Sequence, residues 1–452
     1  MNSNQNFFPN QLTLWEEFFL QDDFENYPAN FMTRIRCIGR LSIDLVRESL
    51  QVCVAKHPLF NATIEKKGRT FSWVNSTDEP LPLREFQSDI ESPIPPNKKF
   101  KTTEERLWNI ELHHFQDANG ENRTDIFIQL HHTLCDGLGA IQFLSDVANS
   151  IHKLYNKDES CREFEIDFEA LKNRGKFPQS WSEFFKALPL YYKTILASFK
   201  LIFLKVDPLV PVASLPELLE TKKEKLGYRK IALTISESSR LRRNCRKQDT
   251  TVNSVVATEL FQSVAQWKAS QGHESTNGLR MVMPFNERNL KDRNLSACNR
   301  VSVSPFTQSL KNIADREGLL GRIEYVVRIV KKAKLGVNFH RGLWVCKTFF
   351  GSLKRLARTD RIGATFMFSN VGNLNGHLQL PFEKSSMRCG PILIDDIDLI
   401  PPVRVGTSFA LTIHEFYGES RLGVHYDSAM MTDDQANHFF DYFEDRLKKL
   451  AE

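Results

Sequence analysis

No C-x-x-C pair occurs among the eight cysteines (Cys37, Cys53, Cys135, Cys161, Cys245, Cys298, Cys346 and Cys389), which are scattered along the chain. That pattern excludes a zinc knuckle and a dense disulfide framework, and it fits reduced thiols in a cytoplasmic protein. Charge of one sign is also lacking. Sixty Lys+Arg against 55 Asp+Glu leave +5 over 452 residues, and no long basic run appears, so nucleic acid is not an expected partner. Tryptophan (6) and tyrosine (9) are scarce beside 34 phenylalanines, which points to a greasy interior. The first residues, Met1 to Asn6, carry no basic residue followed by an apolar run, so no secretory signal is read there. There is no repeat of fixed period and no low-complexity tract.

A hydrophobic share of 41% with 25% charged residues is that of a folded chain, and the length predicts two or three domains. Phe31 to Ile38 reads as a strand ending at Gly39. Ser42 then caps a helix that must stop at His57-Pro58. Residues 76–103 read as a polar connection. Leu107 to Phe115 and Asp125 to Leu130 form a hairpin across Asn119-Gly120, with Ile126, Ile128 and Leu130 making one apolar face. From Leu138 the spacing is helical. The apolar stretch 184–204 is interrupted by Lys186, Pro189, Lys193 and Lys200, which argue against a membrane-spanning helix. It reads either as a packed helix or as an amphipathic surface that makes a peripheral membrane contact. Residues 206–225, with Pro208, Pro211 and Pro216, mark a crossover linker between an N-terminal half, 1–205, and a C-terminal half, 226–452. In the second half, strands are expected near 229–235, 279–284, 363–369, 392–400, 407–417 and 420–426, and helices near 251–268, 313–334 and 433–449.

Chemistry concentrates in His131-His132-Thr133-Leu134-Cys135-Asp136-Gly137. A histidine at a strand end presents its imidazole to a cleft, and its ordinary pKa near 6.5 lets it take and return a proton at neutral pH. Gly137 permits a close approach of backbone to ligand. Blander readings stand beside this one: Asp136 is placed to be a helix N-cap, His113 and His114 are ordinary hairpin residues, and Cys135 is structural. A metal site on His132 and Asp136 would need a further ligand, and the chain has no HExxH pattern, so no metal is expected.

This segment matches the HHxxxDG motif and so resembles the chloramphenicol acetyltransferase-like superfamily, which includes peptide-synthetase condensation domains, alcohol acyltransferases and wax ester synthase/diacylglycerol acyltransferases. Arg34 to Ser42 followed by Ala55-Lys56-His57-Pro58-Leu59-Phe60 looks like the family's first strand and helix. Leu107-Trp108 resembles the Pro-Leu-Trp element of the lipid-making branch, with Arg106 in place of proline, and Val252-Asn253-Ser254 departs from that branch's Asn-Asp. Met283 to Arg288 looks like the segment whose arginine pairs with the motif aspartate, and Ser369-Asn370-Val371-Gly372 like the strand-edge Ser-Asn motif. The Asp-Phe-Gly-Trp-Gly element of plant-type members is absent.

The resemblance implies an α/β (α+β) fold of two subdomains, each a mixed sheet packed with helices, meeting at a central channel. It implies a stand-alone acyltransferase that moves an acyl group from acyl-CoA, or from a phosphopantetheine arm on an acyl carrier protein, to a hydroxyl acceptor, with no permanently bound cofactor. His132 would be the general base; His131, Asp136, Gly137 and Arg288 would support the site; Ser369 and Asn370 would bind substrate or the oxyanion. The apolar stretch, the phenylalanine excess and Leu107-Trp108 favour a lipophilic acceptor. A monomer is expected. An amide-forming condensation enzyme is the alternative, and a non-catalytic thioester-binding protein the alternative of another class.

Overall fold

The computed structural model describes residues 7–76, 79–177, 185, 204–212, 214–221, 223, 226–273, 277–332, 336–351, 353–354, 362–383 and 386–452. The expected amphipathic stretch 184–204 lies outside them, apart from Phe185 and Leu204, both exposed. No helix of the described residues is long and apolar enough to cross a membrane.

Two mixed sheets organise the chain. The first has seven strands in the order Phe382–Glu383, Ser386–Cys389, Ile392–Ile400, Asn30–Ile38, Asn122–His131, Trp108–Gln116 and Leu83–Gln87. The second has six, in the order Val301–Gln308, Leu279–Asn286, Phe366–Asn373, Phe409–Phe416, Glu419–Tyr426 and Gly227–Leu233. A small antiparallel sheet of Asn10–Gln11, Thr70–Asn75 and Ala62–Lys67 flanks the first. The expected hairpin forms, in register from Trp108 opposite Leu130 to Gln116 opposite Asn122, with Gly120 at φ +76° in the turn. Its second strand is buried on both faces from Thr124 to His131, not on one. Residues of the 76–103 connection cover the other face: Gln129 donates to Asn97 Oδ1 at 2.8 Å and to Lys98 O at 2.7 Å. Part of that connection, Leu83–Gln87, is itself an edge strand parallel to Trp108–Gln116.

Each sheet has its own hydrophobic core, and the cores exchange segments. Ile392–Ile400 pairs antiparallel with Asn30–Ile38, and Leu295, Ala297 and Cys298 also pack into the first core. Conversely Tyr27, Leu209 and Leu218 pack into the second. Leu209 is fully buried in the second core, and the strands Phe382–Glu383, Ser386–Cys389 and Ile392–Ile400 belong to the first sheet although they follow 206–225 in sequence. Such pairing of strands more than 350 residues apart leaves no trace in local periodicity. The sheets touch where Gly423 approaches Leu399; a Cβ there would meet Leu399 O, so only glycine fits. Asp396, on the first sheet, accepts Arg36 Nη1 at 3.0 Å and also pairs with Lys230 and Arg421 of the second.

Several helices follow their capping signals. Thr432 and Gln435 form a capping box for Asp433–Leu450, whose Phe439, Phe440, Phe443 and Leu447 are buried. The helix expected near 313–334 is two, Leu310–Ala314 and Arg316–Lys332, broken at Asp315. Two unexpected helices, Leu14–Gln21 and Gly336–Phe350, meet through Trp15 and Phe339, whose rings lie 4.6 Å apart edge to face. Trp108 packs in the first core, 1% exposed, with its indole N–H on Phe60 O at 2.7 Å; it offers no surface to a substrate.

Candidate active site at the end of a central strand

The strand Asn122–His131 ends inside the protein, and the histidine pair splits there between two environments. His131 is fully buried; its Nδ1 accepts from Thr133 N at 3.0 Å, which turns the chain, and its Nε2 lies 3.5 Å from Asp23 Oδ2. His132 is half-buried. Its backbone N–H donates to Ala29 O at 2.7 Å, which carries the sheet one residue beyond the strand. Its ring stacks on Phe19 at 4.2 Å with planes 6° apart, and Phe31 meets it edge-on at 5.1 Å. Nδ1 is buried without a hydrogen bond of regular geometry.

Burial in this aromatic slot disfavours imidazolium. It pushes the His132 pKa down to about 4, helped by His131 and opposed by Asp136 and by the carbonyls of His132 and Cys135. The ring is neutral at pH 7 and can accept a proton.

Asp136 is turned away from this histidine. It caps the helix Gly137–Tyr155, Oδ1 accepting from Gly139 N at 2.8 Å. Its Oδ2 accepts from Arg288 Nη1 at 2.9 Å and from Arg300 N at 2.7 Å. Arg288 Nη2 in turn donates to Cys298 O at 2.8 Å. The carboxylate thus has three donors, two of them from the other side of the 206–225 segment.

Gly137 is exposed, and nothing stands within 4 Å of where its Cβ would be. The neighbouring constraint falls instead on Gly139, whose Cβ would come within 2.8 Å of Cys298 O. Cys135 is fully buried and burial pushes its thiol pKa well up, so it holds no nucleophilic thiolate. Ser369 and Asn370 lie in the second sheet at a bulge in Phe366–Asn373. Asn370 is exposed and its Oδ1 accepts from Gly372 N at 2.9 Å, a local turn bond; neither side chain bonds the motif loop. Asn253, at the start of the helix Val252–Ser270, reaches Met283 Sδ at 3.5 Å.

Sequence reading missed several residues here. Asn299 donates from Nδ2 to the carbonyls of His132, at 2.8 Å, and Thr133, at 3.0 Å. Glu16 and Arg174 form a fully buried ion pair, 2.6 Å from Oε1 to Nε, beside the loop; Thr133 Oγ1 donates to Glu16 O at 3.2 Å. Only the helix-cap pattern at Thr13 and Glu16 was open to recognition, and it says nothing of the motif. Among the described residues no group of three or more His, Cys, Asp or Glu could hold a metal ion. A small apolar cavity of about 20 Å³, lined by residues including Ile35, Ile141, Leu144 and Ile397, does not include His132.

Comparison with known proteins gives three findings. The family model of alcohol acetyltransferases matches residues 85–299, which include the motif and the Arg288 segment. No curated protein matches the chain. Solved structures match over its whole length. A mutant starter condensation domain of rhizomide synthetase, in complex with C8-CoA and Leu-SNAC, superposes with TM-score 0.66 at 11% identity, covering 100% of this chain and 96% of that one. The epimerization domain from the third module of tyrocidine synthetase B gives 0.65 at 13%, covering 98% and 97%. Polyketide synthase associated protein 5 from Mycobacterium tuberculosis gives 0.59 at 13%, also covering 98% and 97%. At such identities the likeness is one of fold. The chain thus has the two-sheet fold of these condensation-type domains, and its segment 85–299, which carries the motif, is similar to alcohol acetyltransferases.

Proposed function

We propose that the protein is an acyltransferase that moves an acyl group from a thioester to a hydroxyl acceptor, with His132 as general base. The observation that carries this reading is a neutral imidazole, held between Phe19 and Phe31 at a strand end, beside a motif aspartate whose carboxylate is fully engaged elsewhere. As the acceptor oxygen attacks the thioester carbonyl, its proton passes to His132 Nε2. The tetrahedral intermediate then expels the thiolate, which takes that proton back. One base serves both steps, and proton transfer of this kind is worth about 10²–10⁴-fold. No acyl-enzyme is needed, in keeping with the inert, buried Cys135.

The donor is acyl-CoA or a carrier-bound acyl group. The alcohol acetyltransferase match favours ester formation, and the aromatic walls of the histidine slot favour an apolar acceptor. The condensation-domain fold supports the second reading, amide formation on an amine. Purified protein given acetyl-, octanoyl- and palmitoyl-CoA, with ethanol, octanol, hexadecanol or octylamine, separates these by thiol release and product mass. Esters of octanol or hexadecanol are expected. Amide as the sole product would favour condensation, and thioester binding without thiol release for any acceptor would leave only a binding protein.

A further inference from the structure

One segment of the second half is threaded through the first. Leu295 to Arg300, between the short helix Leu290–Asn294 and the strand Val301–Gln308, has no regular secondary structure, yet each of its residues is at most 5% exposed. Its bonds to the first half run in sequence order. Leu295 O accepts from Gln142 Nε2 at 2.7 Å, Ser296 Oγ donates to Lys56 O at 2.9 Å, and Ala297 N donates to His57 Nδ1 at 3.0 Å. The other His57 nitrogen, Nε2, is 2.8 Å from Asp146 Oδ2. Arg300 N meets Asp136 Oδ2, and Arg300 Nη1 donates to the carbonyls of Arg174, at 2.9 Å, and Lys176, at 2.8 Å. Between these anchors stands Asn299, 4% exposed, with its single amide nitrogen on two successive carbonyls of the motif loop.

We propose that Asn299 is a positioning residue for His132: by holding the His132 and Thr133 carbonyls it fixes the loop so that the imidazole keeps its proton on Nδ1 and turns Nε2 to the substrate. This rests on the reading of His132 as the base. The physical chain is short. The His132 backbone is held at both ends, N–H on Ala29 O and C=O on Asn299 Nδ2, so the side chain has a fixed origin. The carbonyls of His132 and Cys135 act on the ring, and a carbonyl pinned by a buried amide is a fixed dipole that favours a proton on the ring nitrogen facing it. A free imidazole prefers the opposite tautomer, with the proton on Nε2, which would present a donor to an alcohol that must lose its own proton. The titratable groups acting on the ring are His131 and Asp136, with Asp23 beyond the first and Arg288 beyond the second; none of these is hydrogen-bonded to the Asn299 side chain.

The test uses Asn299→Ala in the full chain, with octanoyl-CoA and octanol as probes and ¹⁵N-histidine NMR as a second readout. Wild-type His132 is expected as the Nδ1–H tautomer. In the variant its ¹⁵N shifts move towards Nε2–H, and kcat falls about 10–100-fold while the thioester KM stays within about twofold. A merely structural role would lower activity only as far as the folded fraction falls and would leave the tautomer unchanged. A folded variant with unchanged kcat and tautomer overturns the proposal. If Asn299→Ala does not fold, Asn299→Ser carries the same readouts; if neither folds, Nε2–H in the wild type overturns the proposal and Nδ1–H supports it. His132→Ala assayed in parallel separates the two levels. If it retains activity, the base reading fails; if it is inactive while Asn299→Ala behaves as wild type, only the role of Asn299 fails.

Discussion

Arg288→Ala removes one of three donors to Asp136 and the bond of Arg288 Nη2 to Cys298 O in the strap 295–300. Breaking a buried ion pair typically costs about 3–5 kcal/mol. Two features reduce that here: the Arg288 side chain is 17% exposed, and the Asp136 carboxylate keeps the Gly139 and Arg300 backbone donors. About 2–3 kcal/mol is therefore expected. At about 2.1 cal/mol/K of unfolding entropy per residue, the described fold would lose roughly 2–3 °C in Tm if it melts as one unit. Activity should suffer more than stability. Asp136 fixes the first turn of the helix that follows the motif, and a displacement of about 1 Å at a catalytic group can cost about 10²-fold in rate. Asp136→Ala should be the worse variant, since it removes the counter-ion of Arg288 and leaves two backbone donors, Gly139 N and Arg300 N, without their acceptor at once. Differential scanning fluorimetry and steady-state thiol release on both variants and the double variant make the measurement. If Arg288→Ala and Asp136→Ala were additive, with no coupling in either readout, the pair would not be the brace described here.

Three other outcomes follow from the same geometry. Cys135→Ala should keep kcat within about twofold, because burial holds the thiol protonated; loss of activity in a folded variant, with trapping of an acylated cysteine in the wild type, would sink the one-base mechanism. Gly139→Ala should lower Tm, since its Cβ would press on Cys298 O, whereas Gly137→Ala, with open space around it, should leave Tm unchanged; the reverse order would contradict the packing. Stability should fall on acidification between about pH 6.5 and pH 4. Burial pushes His425 down to about 4 and His414 to about 3, so the unfolded chain binds protons that the folded one refuses, and each costs about 2 kcal/mol by pH 5; replacing His425 with Gln should flatten that slope in urea melts followed against pH.

The parts of this molecule legible in the sequence are those set by short-range physics. The hairpin turn at Asn119-Gly120, the cap at Ser42 before the helix Ile43–Lys56, and the terminal helix with its phenylalanine stripe all follow from neighbouring residues. His132 and Asp136 were legible through a compact motif, and Arg288, 152 residues away, only through resemblance to a family. What escaped depends on the chain's path. Residues 392–400 were expected as a strand but not as a partner of 30–38, and the strap 295–300 has no periodicity at all because its bonds go to side chains and carbonyls of another layer. Phe19, which stacks on the histidine, belongs to a helix whose apolar residues gave no sign of meeting the motif. Much of the phenylalanine excess has a plain use: Phe366, Phe368, Phe409, Phe439 and Phe440 fill the second core.

Everything proposed for the reaction turns on His132 as the base. Its most direct test is His132→Ala, assayed for thiol release and ester formation with octanoyl-CoA and octanol, with circular dichroism and Tm as controls. A folded protein is expected whose kcat is lower by about 10²–10⁴-fold, while the wild-type kcat/KM holds down to an acid limb near pH 4, the value set by burial of the ring. A folded His132→Ala variant with wild-type turnover would contradict it.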